Sequence, residues 1–270
     1  MVNSSRTLAI IAAAASLIAI AIVILPPIAQ APLYHAFADA RTLYGVPNFW
    51  NVISNIPFFL VAIYGFKALR SPHAFVERWE RAAYCILLAG AAGVGAGSAY
   101  YHLHPGDARL FWDRLPMTVV FMSLVAATVG ERIGMRAGRL SLLPLILLGV
   151  TATLTWRFSG DLRLYAVVQF GSMLAVPLML IRFPPRYSGA VRIWCTVILY
   201  ALAKILELSD HQIAAVVATG GHPWKHAAAA AALFCYVDAV ARRRRTACTR
   251  EALPPPRMGA PNARHCRGQG

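Results

Sequence analysis

Three short stretches of this sequence hold residue types able to do chemistry. In His222-Pro223-Trp224-Lys225-His226 two imidazoles stand at i and i+4, which on a helix puts both on one face at a separation one metal ion can bridge. Such a pair alone is equally compatible with two interfacial histidines at a helix start. His102 closes the run Ser98-Ala99-Tyr100-Tyr101-His102, with Ser98 one helical turn before it. Three neutral imidazoles with an open fourth position are the arrangement of a catalytic zinc, which lowers the pKa of bound water to about 7. Asp113 opens Asp113-Arg114-Leu115-Pro116-Met117. At a helix start it is either a cap favoured by the dipole and free N–H groups, or a base that takes a proton from water, or a carboxylate that orients a histidine. Ser98 has the same duality. It is either a packing serine bonded to the turn before it or a donor to a developing oxyanion.

The elements that must position these residues are membrane helices. With 58% hydrophobic residues against 14% charged ones, the composition departs from that of a water-soluble core. A spanning helix needs about 20 apolar residues. The stretches 7–29, 49–68, 82–101, 113–131, 140–156, 164–181, 193–210 and 223–241 meet or approach that. Their connections are short and hold most of the Gly, Pro and charge, as expected where backbone can turn only in contact with water or protein. The fold class expected is all-α, a polytopic membrane helical bundle. The net charge of +15 does not point to nucleic acid, because the basic residues fall between apolar runs rather than in a patch interleaved with aromatics. Cys85, Cys195, Cys235, Cys248 and Cys266 contain no CxxC pair, so they suggest neither a disulfide framework nor a thiolate zinc site.

Charge orients the bundle. With a cytoplasmic N-terminus, the even-numbered connections receive Lys67, Arg70, Arg78 and Arg81, then Arg132, Arg136 and Arg139, then Arg182, Arg186 and Arg192, and the tail adds Arg242 to Arg245. The other side receives only Arg41, Arg109, Arg114, Arg157, Arg163 and Lys225. The positive-inside rule therefore predicts cytoplasmic termini. Residues 1–30 read as an additional N-terminal helix. Ala29-Gln30-Ala31 also resembles a signal-peptide site, but the apolar run is longer than a typical h-region and Pro32 would follow the cut. Residues 31–242 then form the seven-helix domain, and 243–270 a basic, disordered tail attracted to anionic lipid.

In that topology the intramembrane ionisable groups collect at the side opposite the arginines. Asp39 and Asn48 precede the second span, Ser98 and His102 end the third, Asp113 starts the fourth, Glu207 and Asp210 end the seventh, and His222 and His226 start the eighth. Such groups are costly in a membrane, so their clustering marks a site. Lys204 and Glu207 read as an ion pair along one helix face, and Asp210, nearest the imidazoles, as a carboxylate able to orient His222 or His226. His35, His104 and His211 lie on the same side as solvated connection residues. His73 and His265 fall on the other side.

The chain resembles the alkaline ceramidases and their bacterial relatives, within the wider superfamily of seven-helix membrane hydrolases and receptor-like proteins. Three motifs carry the resemblance: Asn48-Phe49-Trp50-Asn51-Val52-Ile53-Ser54-Asn55; Ser98-x-x-x-His102 followed by Asp113-Arg114-Leu115-Pro116-Met117; and His222-Pro223-Trp224-Lys225-His226. It covers about residues 34–241. It implies an intramembrane zinc amidase with His102, His222 and His226 as metal ligands, Asp113 as base and Ser98 assisting, which cleaves ceramide or a related N-acyl lipid into an amine and a fatty acid. The chain departs from the eukaryotic pattern in its added N-terminal helix. It also has only Asp39, with Asn48 where the family usually has Glu, in place of an acidic calcium-binding stretch. Calcium wants six to eight oxygens including several carboxylates, so Asp39 and Asn48 would make a weak site at best. Two rivals remain: a non-enzymatic receptor or scaffold on the same fold, and a proton-coupled transporter. A relay of ionisable groups should cross the membrane thickness, whereas here the other half of each helix reads as almost purely apolar.

Overall fold

The computed structural model describes residues 24–70, 75 and 77–244. The expected helix over 7–29, His73, His265 and the tail beyond Arg244 lie outside the described residues. A single 3-10 turn at Pro32–His35 is followed by α1 (Phe49–Ile53), α2 (Ile56–Ala68), α3 (Arg78–Leu103), α4 (Asp107–Arg132), α5 (Met135–Ser159), α6 (Arg163–Arg182), α7 (Ala190–Leu208), α8 (Asp210–Ala214) and α9 (His222–Arg242). Among the described residues there is no strand, only an isolated bridge between Leu43 and Val46. Five helical stretches are long and apolar enough to cross a membrane: Phe49–Ala68, Arg78–Leu103, Asp107–Arg132, Met135–Ser159 and Arg163–Arg182. The chain is a multi-pass integral membrane protein. α7 and α9 are of similar length but carry Lys204, Glu207, Lys225 and Asp238 within them.

Several helices begin before the apolar runs that announce them. α3 starts at Arg78 rather than 82 because Glu77 and Glu80 form a reciprocal capping box, the Glu77 N–H donating to Glu80 Oε2 at 3.0 Å. Proline stands in the first turn of both α2 and α9, where its missing N–H leaves no bond unmade. The core runs between α2, α3 and α9, with Leu87, Leu88, Ala91, Tyr236 and Val237 fully enclosed. Outward, Leu60, Leu143, Leu147, Ile181 and Ile198 are exposed, as a lipid-facing surface requires.

One close approach sets the register of the site. Gly97 on α3 lies against the carbonyl of Trp112 on α4, and a Cβ there would collide with that carbonyl's carbon and oxygen. Pro116, one turn further along α4, has no N–H for the Trp112 oxygen. The glycine thus brings the two helices together beside Ser98 and Asp113.

The opposite end of the bundle is less apolar than its sequence suggests. Arg243 is buried and donates to Glu80 at 2.9 Å, and Tyr187 donates to the same carboxylate oxygen at 3.2 Å. Glu131 pairs with Arg132 at 3.3 Å, and Asp238 takes Arg192 at 2.9 Å and Arg242 at 2.7 Å. Each acidic group carries its own cation, the condition under which a charge is tolerated away from water. Between the two ends, residues 82–97 of α3, 115–130 of α4 and 227–237 of α9 contain no Asp, Glu, Lys, Arg or His, so no chain of charged residues runs along these three helices.

Candidate metal centre

The site is assembled by α3 and α9 and closed by the chain that precedes α1. α9 begins at His222, so His222 and His226 stand on its first two turns, and His102 comes from the last turn of α3. Their rings form a near-equilateral triangle, with centroids 4.9, 5.0 and 4.9 Å apart. One nitrogen from each lies within 4.8 Å of the others. All three residues are buried, His102 completely. His222 Nε2 and His102 Nε2 are 3.3 Å apart. Two ligands bound at about 2.0–2.1 Å to one tetrahedral ion are separated by roughly that distance.

The donor set fits zinc on a second observation. Ser54 donates its hydroxyl to the Asn51 carbonyl at 3.1 Å, so its oxygen is left to accept from His226 Nδ1–H at 2.8 Å. That fixes the tautomer with the Nε2 lone pair free, and His226 Nε2 is buried with no protein partner. A metal-binding imidazole is oriented in this way by a bond to its other nitrogen. Ser54 sits one turn beyond Trp50 in the Asn-Phe-Trp-Asn-x-x-Ser-Asn motif, and that motif is the sequence signal that points to it.

Ser98 and Asp113 line a cavity of about 50 Å³ beside His226, together with Lys204, Glu207 and Lys225, large enough for one or a few waters. Both Ser98 and Asp113 are buried, and Ser98 lies close enough to Asp113 to act on its carboxyl. Asp113 lies within α4 rather than at its start, because the helix begins at Asp107. The cap reading therefore does not apply.

Asp210 does not touch an imidazole. Its Oδ1 accepts the backbone N–H of His222 at 2.9 Å and its Oδ2 that of Ala38 at 2.9 Å. A carboxylate at the first N–H groups of α9 satisfies a donor the helix cannot, and the same side chain ties the preceding strap to that helix. Glu207 likewise meets no histidine. It pairs with Lys204, as the spacing suggests, and also accepts from Lys225 Nζ at 2.6 Å. Lys225 was not among the expected site residues, although its position three residues after His222 places it on the ligand face of α9.

The strap of residues 30–48 roofs the triangle. Phe37 sets its ring 4.4 Å from that of His222 and 4.7 Å from that of His102. Asn48 adopts φ of +48°, a conformation Asn tolerates better than most residues, and donates to the His102 carbonyl at 2.9 Å. Asp39 is gripped by Arg41 at 2.7 and 2.9 Å, which holds its carboxyl below the ordinary value, and Asn51 donates to the Asp39 carbonyl. The structure therefore engages Asp39 and Asn48 separately, with a guanidinium and a backbone carbonyl, and does not converge them on a cation. His35 bridges Tyr101 and Asp107, and exposed His211 bonds the Ala36 carbonyl. Both hold the strap and neither reaches the triangle.

Neither the curated proteins nor the solved structures yield a match to the chain. The two α9 histidines lie beyond the stretch that a family comparison recognises, so their role rests on the geometry described above. That comparison matches residues 42–187, which include the Asn48–Asn55 motif, Ser98, His102 and Asp113, to the Ceramidase family over more than half of the chain, and the chain belongs to that family.

Proposed function

We propose that the protein is a zinc-dependent intramembrane amidohydrolase, cleaving ceramide or a related N-acyl lipid to a free amine and a fatty acid. The observation that carries this reading is the convergence of three buried imidazoles, two of them with a buried nitrogen that meets no protein partner, beside buried Ser98 and Asp113. His102, His222 and His226 would hold the metal, which when bound supplies Lewis acidity toward the amide carbonyl and toward water.

The remaining chemistry belongs to the chain. Asp113 takes a proton as a water oxygen adds to the amide carbon, then passes it to the nitrogen as the C–N bond breaks, so the amine leaves neutral and the acyl group leaves as the acid. Ser98, next to Asp113, would give its one hydroxyl hydrogen to charge that develops on oxygen. Phe37 and the strap exclude bulk water, which strengthens both interactions. A second cavity of about 170 Å³, walled by residues such as Val120, Phe121, Val176 and Leu233, shares Phe58, Val94, Met117 and Tyr200 with the first. It is suited to hydrocarbon. A lipid substrate would lay its acyl chain there and its amide at the histidines. The arginine distribution supports a site on the non-cytoplasmic side.

The test is to quantify zinc in the purified protein and to follow fatty-acid release from a panel of N-acyl lipids. The expected result is one zinc per chain and turnover abolished by His222→Ala and by Asp113→Ala. Turnover that survives loss of His222 would overturn the metal mechanism. Tightly held zinc with no amidase activity would favour the receptor reading.

A further inference from the structure

The cavity beside the histidines is walled by two lysines that share a single carboxylate. Glu207 gives one oxygen to Lys204 and the other to Lys225, and all three side chains are largely buried, at 21%, 13% and 16% exposure for Lys204, Glu207 and Lys225. An ammonium has three N–H donors and no acceptor. With one on each lysine spent, two remain on each, four in all, while each oxygen of Glu207 already accepts one ammonium and keeps only its second lone pair. The cluster is therefore richer in donors than in acceptors. A neutral hydroxylated head group, which spends part of its capacity on donating, leaves more of these donors unmatched than a group that only accepts. A carboxylate or phosphate, which only accepts and carries the opposite charge, matches them more closely.

Charge leads to the same point. Two buried ammonium groups against one carboxylate leave a positive charge that a site away from water must compensate. Asp113 faces the same cavity, but in the proposed reaction it carries a proton for part of each turnover and then no longer compensates it. The neighbouring cavity is apolar and takes the acyl chain, so the lysines face what is attached to the other side of the amide. Resting on the amidase reading, we infer that the lipid cleaved here bears an anionic group, a carboxylate or a phosphate, on the amine side of its amide, and that Lys204 and Lys225 bind it.

The experiment uses the full-length, zinc-loaded protein and four substrates with one acyl chain: its amide with glycine, the methyl ester of that amide, a neutral ceramide, and the corresponding ceramide phosphorylated on its terminal hydroxyl. The expected result is a kcat/KM for at least one of the two anionic substrates about tenfold or more above both neutral ones. The glycine pair isolates the carboxylate, and the two ceramides isolate the phosphate. Lys204→Met, which leaves Glu207 paired with Lys225, should collapse the anionic-to-neutral ratio to within about twofold, and Lys204→Arg should retain it. Zinc content and melting temperature establish that each variant is folded. Neutral substrates cleaved as fast as both anionic ones by the wild type would overturn the inference and leave the amidase reading intact, as would an anionic preference undiminished in Lys204→Met. Failure to cleave any of the four would overturn both.

Discussion

Ser54 and His226 stand 172 positions apart and meet at 2.8 Å. The triad of histidines was legible in the sequence because imidazoles one turn apart on a helix must share a face, and because the third ends a span on the same side. Ser54 was not, since its role depends on which of many polar residues the tertiary fold brings to an imidazole nitrogen. Asp210 shows the converse. Its proximity to the histidines was legible, but whether a carboxylate meets a ring or the backbone N–H groups of a helix start is decided by a few ångströms. Removal of the Ser54 hydroxyl by Ser54→Ala should leave the fold intact and free the His226 ring to change tautomer and tilt. Loss of such an orienting partner typically costs about 10–100-fold in metal affinity. Competition with a chromophoric chelator measures this directly, and unchanged zinc affinity would mean that packing alone orients His226.

At the scale of elements, the helices over the expected stretches from 49 to 241 were legible to within a few residues of their apolar cores. Their ends were not, because polar caps such as Glu77 and Glu80 extend helices beyond the apolar run. The contact of α3 with α4 also escapes a pattern of periodicity, since Gly97 reads as one more small residue in a small-residue helix. Its Cα lies where a methyl group would strike the Trp112 carbonyl. Gly97→Ala should push α3 from α4 at the level of Ser98 and Asp113, costing about 1–3 kcal/mol of stability. It should lower kcat more than it raises KM, since in the proposed reaction Asp113 carries the proton. Thermal unfolding together with steady-state kinetics checks both, and an active, equally stable variant would show that α4 can shift without loss of register. The strap makes a separate prediction. The Asp39 carboxyl is held below its ordinary value of 3.8 by the Arg41 guanidinium, so the contribution of this pair is fully present above that pH and is lost as pH falls through the lower folded value. Hydrogen exchange at the Arg41 amide, which the same carboxylate accepts, should be independent of Asp39 ionisation from about pH 4 upward. Protection lost at pH 5 to 6 would assign strap opening to another group.

For the whole molecule, the division of polar residues between two ends carries two physical tasks. At one end the polar groups are arranged with unspent capacity: an unpartnered imidazole nitrogen and ammonium donors beside a cavity. At the other, Glu80, Glu131 and Asp238 are each matched to arginine, and the Glu80–Arg243 and Asp238–Arg192 pairs tie the end of α9 to α3 and α7. Zinc bound across α3 and α9 would clamp the first end as those ion pairs clamp the second. Chelation should therefore lower the melting temperature of the wild type, by mass action, and leave that of His222→Ala unmoved; a zinc-independent melting temperature in the wild type would argue against a metal that bridges the two helices. Orientation can be tested independently of chemistry. The arginine-rich connections should remain in the cytoplasm because moving them across a membrane is costly, which places the histidines at the opposite face. In a background with all five cysteines replaced by serine, the exposed positions His104 and Arg136 lie at opposite ends of the bundle. His104→Cys should react with a membrane-impermeant maleimide in intact cells, and Arg136→Cys only after permeabilisation. The reverse pattern would place the site at the cytoplasmic face, where its fatty acid and amine would be released directly into the cell, and the charge rule would then have been overridden by the first helix.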